Sequence, residues 1–165
     1  MPQSAVFVAI GANLPTTAGR APRATCLAAV EALRGLAGLR LMAVSRWYRT
    51  AAIPAGAPDY INGVAWLDGE AEPAALLGRL QAIETQAGRV RPYPNAPRVL
   101  DLDILAIGGL MRAAPDPVLP HPRLHLRRFV LQPLADVAPG WIHPILLKSA
   151  VALLEGVRDQ SVSLA

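Results

Sequence analysis

Cysteine is nearly absent from this chain. Cys26 stands alone among 165 residues, so no intrachain disulfide can form and no cysteine-built metal cluster exists. Lysine is equally scarce: Lys148 is the only one, so nearly all of the 16 Lys+Arg are arginine. Arginine is the side chain suited to bidentate phosphate contacts, although a GC-rich genome enriches it as well. Aromatic residues make up only 5% of the chain, so each ring is worth locating. Uninterrupted apolar runs are short, and no window approaches the ~18 residues that a membrane-spanning helix needs. The first apolar run lacks a basic segment before it and stops at Gly11, which does not read as a signal peptide. A cytoplasmic protein is the expectation.

What is present suffices for a core. The chain is 53% hydrophobic and 17% charged, which argues against global disorder, and its length fits one domain spanning 1–165. The net charge of +4 admits nucleic acid, nucleotides or an acidic surface as partners.

Residues 5–10 read as a strand closed by Gly11. Residues 23–36 place Cys26, Leu27, Val30, Leu33 and Leu36 on one helical face. Strands follow over 41–48 and 60–67, separated by a Pro- and Gly-rich loop. Residues 73–87 form a helix that begins on Pro73 and exits at Gly88. After a loop with three prolines, 99–107 is the fourth strand. The order β-α-β-β-α-β is the ferredoxin-like arrangement of an α+β protein, with its helices on one face of the sheet. Further helices are expected near 129–137 and 145–154, and a loose tail from about Asp159.

The fourth strand carries the anomaly. In RVLDLDIL (98–105), Asp101 and Asp103 interrupt an apolar run. Residues i and i+2 of a strand share a face, so the two carboxylates lie together, with Cα atoms roughly 6.5–7 Å apart. Leu100, Leu102 and Ile104 face the other way, into the core. Two adjacent carboxylates repel unless cations intervene. One reading is an ion-paired, partly wet strand face. The other is a Mg²⁺ site completed by phosphate oxygens and water. Arg89, Arg91 and Arg98 lie just before the strand, as a metal–polyphosphate site requires.

RVLDLDIL, followed by LPH (119–121) and RRF (127–129), resembles the 6-hydroxymethyl-7,8-dihydropterin pyrophosphokinase family of folate synthesis. The blocks IGANL (10–14), YRT (48–50), PDYIN (58–62) and QAIETQAGRVR (81–91) occur in the matching order. The resemblance runs from about residue 5 to 145. It implies transfer of the pyrophosphoryl group of ATP to the hydroxymethyl oxygen of the pterin, with release of AMP. It further implies two Mg²⁺ ions, a ferredoxin-like fold, and a monomer that engages neither nucleic acid nor membrane.

Residue by residue, the resemblance makes Asp101 and Asp103 the magnesium ligands; no His or Glu announces itself as a general base, so metal activation is expected, with Asp101 as the favoured proton acceptor. Arg91 and Arg98 are expected to meet transition-state charge. Arg89, Arg91, Arg98, Arg127 and His121 are placed around the triphosphate, and Gln81, Glu84 and Ile104 with the nucleotide. Tyr60 and Phe129 match a pair that stacks on the pterin. Asn62 matches the reader of its edge, and Thr50 and Ile53 contribute backbone contacts. There are departures: the 92–97 loop lacks a tryptophan frequent in the family, Pro122 stands where an aromatic is common, and Arg128 replaces a frequent glycine. A competing reading is an RNA-binding sheet, which would display aromatics where this strand carries Asp101 and Asp103. A catalytically lost scaffold is another, though both acids and the arginines are retained.

Overall fold

Val6, Val8 and Ile10 alternate along the chain with Ala5, Phe7 and Ala9, and alternate strand residues point to opposite faces. Both sets are largely buried, so this strand needs cover on two sides. The computed structural model describes residues 5–52, 55–90 and 96–165 and supplies that cover. The strand is β1 (Ala5–Ala12), flanked by antiparallel β4 (Tyr60–Gly69) and β5 (Asp101–Ile107). The remaining strands are β2 (Leu39–Val44), β3 (Tyr48–Thr50) and β6 (Ser163–Leu164). The sheet runs β5-β1-β4-β3-β6, with β2 also paired to β4.

On one face, Val6, Val8 and Ile10 pack with Cys26, Ala29, Val30 and Leu33 of α1 (Pro22–Arg34) and Leu76 and Leu80 of α2 (Pro73–Gln86). Glu72 caps α2 by accepting from the Ala74 and Ala75 N–H groups at 3.2 and 2.7 Å, and Pro73 starts it without wasting a donor. On the other face, Phe7, Val64 and Leu105 pack with α3 (Arg128–Val137), α4 (Ala150–Glu155) and Trp141. The helices therefore cover both faces: α1 and α2 on one, the later pair on the other.

Besides the helix expected near 145–154, which is confined to Ala150–Glu155 behind its Ser149 cap, with Ile145 and Leu147 exposed before it, two expectations need correction. The segment read as one strand over 41–48 is two strands, β2 and β3, broken at 45–47. Ser45 makes the break: its own N–H still donates to the Val64 carbonyl at 2.9 Å, but its Oγ, not a backbone carbonyl, accepts the Val64 N–H at 2.9 Å and donates to the Arg46 carbonyl at 2.7 Å. Trp47 then turns its ring onto β4, where a Cβ on Gly63 would lie 2.5 Å from the ring. Only glycine permits that approach. The second correction concerns the end of the chain. Ser163 and Leu164 pair with Arg49 and Tyr48, and the Ala165 N–H donates to the Trp47 carbonyl at 2.9 Å. The tail is an added edge strand, a role that its short polar sequence did not announce.

Candidate active site

The acid pair sits at the start of β5, on the face that carries Leu105, with Leu100, Leu102 and Ile104 buried on the other side. Asp101 lies across from Gly11 of β1, and Gly11 lies across from Asn62 of β4. This row puts an acid, a bare backbone and an amide side by side on one surface. Asp103 is opposite Ala9. Small residues on β1 leave the floor open.

Arginines converge on Asp101. Arg89 Nη1 donates to its Oδ1 at 2.9 Å, and Arg98 Nη1 to its Oδ2 at 2.7 Å. Arg89 also pairs with Glu84 of α2, and Glu84 accepts the Leu102 N–H at 2.8 Å. Burial pushes the Glu84 carboxyl up to about 7 against the pull of the Leu102 N–H and Arg89. Burial likewise pushes Asp103 up to about 6, and the Asp101 charge adds to the shift; Arg98, Arg127 and Arg89 oppose it. The two acids thus differ in their partners: Asp101 is gripped by guanidinium groups, and burial raises the affinity of Asp103 for a proton.

Asn13 holds this arrangement in place. Its Oδ1 accepts the Arg98 N–H at 2.7 Å, and the Arg98 carbonyl accepts the N–H groups of Asn13 and Leu14, each at 3.0 Å. Sequence reasoning quoted Asn13 within IGANL without giving it a role. A buried Asn at 1% exposure inside an apolar block is a usable signal, because such a group needs partners.

Two cavities meet at the acid pair. One, of about 690 Å³, is lined by Thr50, Tyr60, Asn62, Phe129 and Arg127. The other, of about 570 Å³, is lined by Gln81, Glu84, Arg89, Ile104 and Pro122. Asp101, Asp103 and His121 line both. In the first, Asn62 Nδ2 donates to Thr50 Oγ1 at 3.0 Å, and the Arg127 guanidinium sits 5.4 Å from the centre of the Phe129 ring. Tyr48 Oη donates to Asp136 Oδ2 at 2.8 Å, which fastens β3 to α3 and so sets Thr50 relative to Phe129. The structure thus brings together every expected site residue except Arg91 and Ile53, which lie outside the described residues, as does Tyr93 in the loop without tryptophan. Sequence reasoning missed Gln160, Ser161 and Val162, which also line the first cavity.

His121 is held neutral. Burial pulls it down to about 4, and Arg127 adds to the effect. Its Nδ1 accepts the Arg123 N–H at 3.1 Å, so the neutral ring carries its proton on Nε2, as a donor. Burial also lowers the affinity of Arg127 for its proton, with Arg123 adding to the effect. Among the described residues, Arg98 Nε is buried with no hydrogen-bond partner, a situation that costs about 1–3 kcal/mol unless an acceptor arrives.

The profile of the family 7,8-dihydro-6-hydroxymethylpterin-pyrophosphokinase (HPPK) matches residues 7–139. This chain belongs to the HPPK family. It is 45% identical over 135 residues to the 2-amino-4-hydroxy-6-hydroxymethyldihydropteridine pyrophosphokinase of Pseudomonas aeruginosa, covering 81% of this chain and 80% of that one. The protein of the same name from Haemophilus influenzae is 36% identical over 139 residues, with 84% of each chain covered. The fold resembles the crystal structure of Plasmodium falciparum HPPK-DHPS with pteroate, at a TM-score of 0.69 and 12% identity. That match covers 92% of this chain and 42% of the longer one, and at such identity it speaks for the fold alone. No helix among the described residues is long and apolar enough to cross a membrane.

Among the described residues, no cluster of three or more His, Cys, Asp and Glu is built to hold a metal by itself. A pair of carboxylates without a third protein ligand suits Mg²⁺, which takes one or two carboxylates and fills its octahedron with phosphate oxygens and water. Zn²⁺, which prefers three or four N/S/O protein ligands, is not suited.

Proposed function

We propose that this HPPK-family chain transfers the pyrophosphoryl group of ATP to the hydroxymethyl oxygen of 6-hydroxymethyl-7,8-dihydropterin and releases AMP. The observation that carries this reading is the junction of two cavities at Asp101 and Asp103. One is lined by rings and an amide that suit a flat heterocycle. The other is the nucleotide's side, where Gln81, Glu84, Arg89 and Ile104 gather.

The substrate oxygen attacks the β-phosphorus, the bond between the β-phosphorus and the oxygen bridging it to the α-phosphate breaks, and that oxygen leaves on AMP. The hydroxyl proton departs to the acid pair. We assign the proton to Asp103, whose affinity for it burial raises, because Asp101 is committed to Arg89 and Arg98; sequence alone favoured Asp101. Two Mg²⁺ ions held by Asp101 and Asp103 would neutralise phosphate charge and acidify the hydroxyl when bound. Arg98, with its unpartnered Nε, and Arg127 supply donors to the transferred group. His121 contributes Nε2–H as a neutral donor, which avoids placing another buried positive charge beside Arg127. Arg91 is assigned to the same phosphate charge. Tyr60 and Phe129 flank the pterin, Asn62 reads its edge, and Thr50 and Ile53 line its rim.

We further infer one domain spanning 1–165, a ferredoxin-like order for the elements from β1 to β5, a monomer, and a cytoplasmic enzyme. The β5-β1-β4 pairing with β2 and β3 beyond supports the second of these. The test is product identity. ATP, Mg²⁺ and the hydroxymethyl-dihydropterin should yield pterin-dependent AMP. ADP, or AMP formed equally without pterin, would overturn the reading.

A further inference from the structure

The start of α3 is capped by a residue that lies far away in sequence. Arg127, at the N-cap position, makes no side-chain cap bond. Instead the Arg128 N–H donates to Gln160 Oε1 at 2.8 Å, and Gln160 Nε2 donates to the Leu126 carbonyl at 2.8 Å. One amide therefore brackets Arg127, satisfying the backbone on both sides of it. Arg128 returns the grip: its Nη1 donates to the Arg158 and Gln160 carbonyls at 3.1 and 2.7 Å. Beyond the clamp, β6 pairs with β3, the strand that carries Thr50. The span between clamp and strand, Ser161 and Val162, lines the cavity that holds Tyr60, Asn62 and Phe129. None of residues 160–162 touches the nucleotide-side cavity. The HPPK profile ends at 139, so this wall lies outside the matched region.

We propose that residues 160–162, anchored by the edge strand that follows them, form part of the pterin site. Gln160 is the positioning residue that sets Arg127 and Phe129, and Ser161 and Val162 close the cavity beside them. A helix start left without its cap frays by a turn, and the first turn of α3 is the one that carries Phe129. Both ends of the segment are fixed, by the clamp and by the β3 ladder, so its path across the cavity mouth is defined rather than adventitious. This inference rests on the pyrophosphokinase reading for the identity of the ligand.

The experiment measures two affinities on the full chain and its variants: 6-hydroxymethylpterin by its fluorescence, and a non-hydrolysable ATP analogue with Mg²⁺ by calorimetry. Gln160→Met keeps volume but removes both cap bonds. Val162→Trp fills the cavity from the tail side and leaves the clamp intact. A chain ending at Asp159 removes the wall. Each should weaken pterin binding about tenfold or more, tenfold being about 1.4 kcal/mol; Val162→Trp, which leaves the clamp on Arg127 in place, should keep nucleotide affinity within about threefold, whereas Gln160→Met and the truncation release Arg127 and lower it as well. Gln160→Glu, which keeps the acceptor for the Arg128 N–H, should recover part of the loss. Pterin affinity within twofold of wild type in Val162→Trp, or both affinities falling in parallel with thermal stability in all three variants, overturns the proposal. Wild type is titrated first: if it binds no pterin, the pyrophosphokinase reading itself fails. If wild type binds and the variants bind equally well, only the role of the tail fails.

Discussion

Replacing Asp103 with asparagine should make the ligand-free protein more stable while abolishing its chemistry. The Asp103 carboxyl is pushed from 3.8 to about 6, by burial first and the Asp101 charge second. At 1.36 kcal/mol per unit, ionising it in the folded protein costs up to about 3 kcal/mol. Asparagine keeps the shape and carries no charge. Part of the gain is lost because an amide meets Arg98 and Arg127 less well than a carboxylate, so an increase of about 1–2 kcal/mol is expected, or about 2–8 °C in Tm for a chain of this size. The sign follows from the raised folded-state pKa. The cost is absent below 3.8, grows between 3.8 and 6, and is complete above 6; at pH 4.5 about a third of it remains. Scanning calorimetry of wild type and Asp103→Asn in EDTA at pH 7.5 and 4.5 reads this directly. The variant should lead clearly at pH 7.5 and by much less at pH 4.5. Adding Mg²⁺ with a non-hydrolysable ATP analogue should reverse the ranking, because only wild type retains both carboxylates, and turnover should fall by about 10²–10³ or more. A variant less stable than wild type at pH 7.5, or an advantage that does not shrink with acid, would refute the electrostatic argument.

Other outcomes follow from the same geometry. His121 is depressed from 6.5 to about 4, so its contribution is present above pH 6.5 and lost as pH falls through 4; His121→Gln should flatten that limb by up to about 3 kcal/mol, and parallel pH–stability curves for the two proteins would count against the burial of the ring. With Asn62 proposed as the reader of the pterin edge, Asn62→Leu should weaken pterin binding by about 10–100-fold, since a buried amide meeting a polar ligand is worth about 1.5–3 kcal/mol, and leave the nucleotide analogue unaffected in calorimetry. Gly63→Ala forces a Cβ to within 2.5 Å of the Trp47 ring. It should cost about 1–3 kcal/mol and, because the Trp47 carbonyl holds Ala165, loosen the last residues enough to show in limited proteolysis.

Much of the arrangement was legible where chemistry is local. The spacing of Asp101 and Asp103 placed both on one face because strand period is a covalent property of the backbone, and the structure keeps Leu100, Leu102 and Ile104 buried opposite them. The two long helices announced themselves through apolar period, Pro73 and Gly88. What escaped depends on long-range partners. Ser45 breaks a strand because Val64 happens to lie across from it, and nothing within residues 41–48 shows that. Gln160 sits in a polar stretch with no period, and its value comes from the capless start of α3, 32 residues away. The unequal acids are a third case. Sequence showed two carboxylates and several arginines, but which carboxylate the arginines grip is a matter of packing.

The sheet itself sets the distance at which the proposed chemistry works. Asp101, Gly11 and Asn62 occupy neighbouring positions on β5, β1 and β4, and adjacent strands lie about 4.8 Å apart. The acid and the amide are therefore separated by roughly 10 Å at the backbone, a span fixed by main-chain hydrogen bonds and insensitive to side-chain motion. In the proposed reading, a two-ring heterocycle lying across Gly11, with its edge on Asn62, would project a one-carbon arm toward the acid pair. A side chain at position 11 would occupy that floor, and its Cβ would already come within 3.2 Å of Asn62 Oδ1. The same rigidity explains why the two acids are tolerated at the edge of a core. β1 and the burial of Leu102 and Ile104 beneath them hold the strand in register, so the carboxylates cannot retreat from each other. Relief has to come from cations, supplied for Asp101 by Arg89 and Arg98. For Asp103 the described residues offer only the more distant charges of Arg98, Arg127 and Arg89, and the unrelieved remainder is the driving force available to a ligand that brings its own.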